Sequence, residues 1–80
     1  MTKLGAMVLY KLNGYDVTQI EMQRALGTGQ GNHVAARDVY PAVVVRDGNS
    51  VNLQVLLDGP DSYWATSCAE GDAPGQWRAV

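Results

Sequence analysis

Val51-Asn52-Leu53-Gln54-Val55-Leu56-Leu57-Asp58-Gly59-Pro60-Asp61-Ser62-Tyr63-Trp64-Ala65-Thr66-Ser67 reads as one β-hairpin. Val51, Leu53, Val55 and Leu57 alternate with Asn52, Gln54 and Leu56, so the first strand has one apolar face and one mostly amide face. A strand alternates in this way when one side meets a core and the other meets water or a partner. Asp58-Gly59-Pro60-Asp61 supplies the turn: Gly admits φ > 0, Pro fixes φ, and Asp carboxylates accept from nearby N–H groups. In a chain of 80 residues this hairpin is a large part of the fold, and no catalytic motif accompanies it.

Working outward, Met7-Val8-Leu9-Tyr10-Lys11-Leu12 predicts an N-terminal strand over about 6–12, closed by the turn dipeptide Asn13-Gly14. Asp16 with Gln19 three residues later has capping-box spacing, so a helix is expected over about 16–26 with Gly27 as its stop. Val17 and Ile20 lie on one helix face, and Met22, Ala25 and Leu26 on another, which suits packing on the protein's own sheet and on a neighbour. A Gly-rich loop is expected over about 27–37, with the remaining strands spread over about 39–80. Ala42-Val43-Val44-Val45 reads as a strand buried on both faces or nearly so, with Pro41 at its first residue, where no ladder N–H is demanded. Asp47-Gly48-Asn49-Ser50 and Glu70 to Gly75 are the other turns, the latter leading to Gln76-Trp77-Arg78-Ala79-Val80. Short strands with turns every ~8–12 residues predict a mainly β fold with one short helix, a small SH3-like antiparallel β-barrel forming a single domain over 1–80.

A chain this short buries only about 60–65 % of the surface its unfolded form exposes, so self-association is expected to supplement a thin core. Cys68 is the only cysteine, which excludes a disulfide within the chain, and His33 with Cys68 falls short of a structural zinc set. The net charge is −2, and Lys3, Lys11, Arg24, Arg37, Arg46 and Arg78 are scattered, which disfavours nucleic acid as a partner. No apolar run approaches the ~20 residues of a membrane span, and Met1-Thr2-Lys3-Leu4-Gly5 carries no sustained apolar stretch of a secretory signal. A lone cysteine without such a signal points to a reducing cytoplasm.

Val39-Tyr40-Pro41-Ala42-Val43-Val44-Val45-Arg46, Val51 to Ser67, and Glu70-Gly71 with Pro74-Gly75-Gln76-Trp77 together resemble a group of small proteins of unassigned function encoded by tailed bacteriophages. The resemblance covers roughly the C-terminal half, and Gly31-Asn32-His33-Val34 is similar to that group's lead-in. It implies an accessory role in the host cytoplasm or on the virion: occupying a host factor, capturing a host signal, or decorating the particle. It implies no reaction.

The residues set out the candidates. Gly27-Thr28-Gly29-Gln30-Gly31 has the glycines of a phosphate cradle without the Gly-Lys-Ser/Thr of a P-loop, so a plain connector is the simpler reading. His33 has no nucleophile motif beside it and is read as a ligand hydrogen-bonding group or an ordinary loop histidine. Asp58 and Asp61 are better explained by the turn than by paired-carboxylate catalysis. One of Trp64 and Trp77 is expected in the core and the other at a cleft, where it or Tyr63 stacks a ring while Arg46 and Gly29 to Gly31 contact phosphates. Asn32, Asn52, Gln54, Asp61 and Thr66 complete the expected polar set. Cys68, lacking a cationic neighbour, is read as a small buried hydrophobe. The expectation is a non-enzymatic homo-oligomer, without metal or cofactor, that sequesters a nucleotide-derived immune signal or blocks a host defence protein. The alternative is a small decoration protein on the capsid shell.

Overall fold

The computed structural model describes residues 2–27 and 30–80. Its elements run β1 (Met7–Lys11), α1 (Gly14–Leu26), β2 (Val39–Arg46), β3 (Val51–Leu56), β4 (Ser62–Cys68) and β5 (Trp77–Ala79). The fold is mainly antiparallel β with one short helix. All five strands lie in one sheet of order β4-β3-β2-β1-β5. The sheet is not closed, so it fits the SH3-like barrel only loosely. A single parallel bridge, Glu70 to Trp77, ties the chain leaving β4 to the far edge strand.

The hairpin 51–67 forms as read, with Val55 opposite Tyr63 and Gln54 opposite Trp64. Its alternation is interrupted once. The register shifts between Val51 and Leu53, and Ser67 takes a positive φ of 55°. The extra residue reverses the phase of β4, so that Cys68 rather than Ser67 faces inward. Asn52 Oδ1 accepts the Ser67 N–H at 2.9 Å and holds the bulge.

The helix begins earlier than the Asp16 cap predicted. Asn13 is the N-cap: its side chain accepts from the Asp16 N–H at 2.8 Å, and the Asp16 carboxylate accepts from the Asn13 N–H at 2.9 Å. Asn13-Gly14 is thus a helix start rather than a turn, and Asp16 is the third residue of the capping box. Gly27 closes the helix as expected. Pro41 is the third residue of β2, not the first, but its pairing with β3 begins only at Ala42. The proline therefore sits where β2 has outrun its neighbour and no donor is wanted on that side.

The core is one cluster: inward residues of all five strands, with Leu12, Ile20 and Val34 closing over them. Asp16 is the one buried charged side chain among the described residues, at 3 % exposure. Besides its cap bond it accepts from the Tyr10 hydroxyl at 2.7 Å and the Tyr63 hydroxyl at 2.8 Å. Three donors and the positive end of the helix dipole offset its desolvation without a cation. Burial first, and then this carboxylate, raise both phenols well above their ordinary 10.0. Burial likewise pushes the Cys68 thiol up to about 11. Cys68 is thus buried with the core, as anticipated.

Asp16→Ala strands two buried phenols and is expected to cost about 3 kcal/mol in urea unfolding, against about 1–2 kcal/mol for Tyr63→Phe. The raised acids also fix the alkaline limit. Above the unfolded pKa the unfolded chain loses protons that the folded one retains, so stability falls as pH rises. Thermal midpoints should decline from about pH 9 through about 11 on account of Cys68, and from 10 upward on account of the tyrosines. Cys68→Ala is expected to move the start of that decline from 9 to 10.

Candidate binding surface

The two faces of the sheet differ in what covers them. The inner face lies under α1. The outer face carries a row that crosses four strands, Met7–Val43–Gln54–Trp64, each opposite the next. Nothing among the described residues covers this row: Trp64 is 59 % exposed and Met7 47 %. Leu56, Val39 and Val45 add further exposed apolar surface. Val43 is only half-buried and Val45 exposed, so β2 is buried on one face, not on both as its composition suggested. Of the two tryptophans, Trp77 is the core residue and Trp64 the surface one.

The structure brings some of the predicted residues together and separates others. Asn52, Gln54, Trp64 and Thr66 share the outer half of the β3–β4 hairpin. Gln54 accepts from the Ser62 hydroxyl at 3.3 Å, while the Asn52 carbonyl is occupied by the bulge. Tyr63 is the inward neighbour of Trp64, its ring buried and its hydroxyl on Asp16, so it offers no stacking face.

Gly31 and Asn32 form a corner at the opposite end of the hairpin from Arg46. Arg24 from the helix donates to both Asp61 oxygens, at 2.8 and 3.2 Å, and to the Asn32 carbonyl at 2.7 Å. Asn32 in turn donates to Asp58, from its backbone N–H at 2.7 Å and its side-chain amide at 2.8 Å. Asp61 is therefore a clamp on Arg24, whose guanidinium lowers the carboxyl's pKa below its ordinary 3.8. Gly31 has φ 119°, and a Cβ there would meet the Arg24 guanidinium at 2.5 Å. The glycine is required by packing against arginine, a sufficient reason for it without any phosphate. Arg46, the last residue of β2, is exposed beside the other end of β3, about 20 Å away at ~3.3 Å per strand residue. His33 is exposed in the connecting loop beside buried Val34, and Gly29 lies outside the described residues.

The second apolar face of the helix, expected to meet a neighbour, proves to be a wall of this surface, although no helix residue stood among the expected site residues. A groove of about 490 Å³ runs between α1 and β4, bounded by Tyr15, Gln19, Trp64 and Thr66. A second, of about 340 Å³, continues it past Gln19 to Met22 and Leu26. The available signal was the second apolar edge of the helix, which has no counterpart in the core. Among the described residues, no three His, Cys, Asp or Glu gather as metal ligands, and no helix is long and apolar enough to cross a membrane. No protein-family model, curated protein or solved structure matches the chain.

Gly31→Ala is expected to destabilise by about 1–2 kcal/mol, through both its positive φ and the displaced Arg24. The Asp61 contribution is present above pH 3.8 and lost as pH falls below it, since the folded carboxyl holds its charge longer than the unfolded one. Acid titration followed by circular dichroism should show this loss in the parent and its absence in Asp61→Asn.

Proposed function

We propose that this chain is a non-enzymatic binding module whose partner is a protein. The observation that supports it most is the bare outer row ending in Trp64, an apolar surface with exposed aromatic and sulfur side chains of the kind enriched at interfaces. Taken with the resemblance to phage accessory proteins, the partner to expect is a host defence protein, blocked in the host cytoplasm. Trapping a nucleotide-derived signal fits the geometry less well. Its ring would have Trp64 but not Tyr63, and its phosphates would find Arg46 at one end and an arginine already paired at the other. The same flat outer face would also suit a shell of capsid subunits, the decoration reading. Self-association, expected from size, would draw on this face as well.

A photo-crosslinking residue at position 54, beside Trp64 in the row, tests the proposal in host extract. A discrete protein adduct is expected, lost in Trp64→Asp, while the melting temperature stays nearly unchanged because a surface substitution is worth about 0.5 kcal/mol or less. An adduct formed only with capsid subunits in purified particles would establish decoration. A nucleotide retained through desalting in native mass spectrometry, with no protein adduct, would refute the proposal in favour of signal capture.

A further inference from the structure

The sheet has two edges, and the chain treats them differently. β5 is three residues long, carries Arg78, and is covered on its free side: the Trp77 N–H donates to the Ala69 carbonyl at 3.1 Å and the Gly71 N–H to the Trp77 carbonyl at 2.8 Å. Short length, charge and cover are the ordinary protections of an edge. β4 is neither short nor charged, and its cover is one side-chain bond at its first residue, from Gln23 to the Ser62 carbonyl. It runs seven residues, Ser62–Cys68, without a charge or a proline, and pairs only with β3.

Backbone groups on its free side can be placed. The Ser62 carbonyl accepts from Gln23 Nε2 of the helix at 2.8 Å, so it faces away from β3. The Ser67 N–H bonds to Asn52 on β3, so the Thr66 carbonyl of the same trans peptide faces the same way as that of Ser62. Residues of an antiparallel strand alternate in direction, so Trp64, midway between them, presents both its N–H and its C=O to the open edge. Along that edge lies the groove whose far wall is α1. Tyr15, Met22 and Leu26 stand exposed on this wall, and Gln19 and Gln23 lie between them. The one charged group along the groove, Asp16, is buried and already holds three donors.

We propose that this groove receives an extended, uncharged segment of a partner protein, which adds to the sheet as a sixth strand beside β4. Main-chain bonds to Trp64 and Thr66 would give the affinity, and alternate apolar side chains, one set against Met22 and Leu26 and the other against Trp64, the selection. A second copy of this chain fits less well. Gln23 ties the helix directly alongside the edge, so a two-fold partner would bring its own helix into the same space. Seven strand residues also fall well short of the ~20–30 residues a side of a stable interface. The inference rests on the reading of the chain as a protein-binding module and specifies how the partner is held.

The test uses a displayed library of random octapeptides as the probe, selected on the full chain and followed by hydrogen exchange. Selected peptides should alternate apolar residues, lack charge, and slow exchange at the Trp64 and Thr66 amides. Thr66→Pro, which removes an outward N–H, and Met22→Lys, which charges an exposed wall, should each weaken capture by roughly tenfold, about one hydrogen bond's worth. Three results would overturn the inference: no selected peptide, peptides that leave those amides unprotected, or protection that appears without peptide and grows with protein concentration, which would assign the edge to a second copy. A crosslink from position 54 that persists while the edge amides stay unprotected would sink strand addition alone and leave the protein-binding reading standing.

Discussion

The fold turns on a buried carboxylate. Asp16 caps its own helix, and through two phenols it holds the first turn of that helix to β1 and to β4, which lie on opposite sides of the sheet's middle strand. Local and long-range constraints meet in one side chain. The cap fixes where the helix starts, and the tyrosines fix which face of the sheet it covers and how close it stands to the edge. A carboxylate taken from water needs hydrogen-bond donors in place of its hydration or it destabilises the site. The arrangement therefore specifies a single helix position more sharply than the apolar contacts of Ile20 and Val17 would.

That position explains the surface. With α1 seated over the inner face, the outer face of a five-stranded sheet is left to solvent or to a partner, and the helix's second apolar edge comes to lie beside β4 instead of in the core. The groove and the bare row meet at Trp64, which is reached from the edge and from the face alike. By contrast, the glycine and acidic residues that look like ligand chemistry in one dimension are spent on structure: Gly31 makes way for Arg24, and Asp58 and Asp61 hold the corner shut.

Much of the fold was legible because the relevant physics is local. Alternation in 51–57, the Asp58–Asp61 turn, the apolar run in β1 and the helix stop at Gly27 each depend on residues a few positions apart. The helix start was misplaced for a local reason: Asn13-Gly14 serves equally as a turn or as an N-cap with the residue after it, and only the Asp16 side chain decides between them. Barrel closure was not legible. It depends on whether β4 meets β5, and the chain between them makes one bridge at Glu70 instead of a ladder.

By itself, then, the sequence determined the element types, the hairpin, the exclusion of an internal disulfide and the division of labour between two tryptophans, since propensity, periodicity and counting need no third dimension. The tertiary structure alone decided which tryptophan is outside, which polar residues share a surface, and which edge of the sheet is open. Those properties belong to pairs of residues far apart in the chain: Tyr10 and Asp16 with Tyr63, Arg24 with Asp61, Gln23 with Ser62. No spacing rule encodes such pairs, because what brings them together is the packing of the whole chain rather than any segment of it.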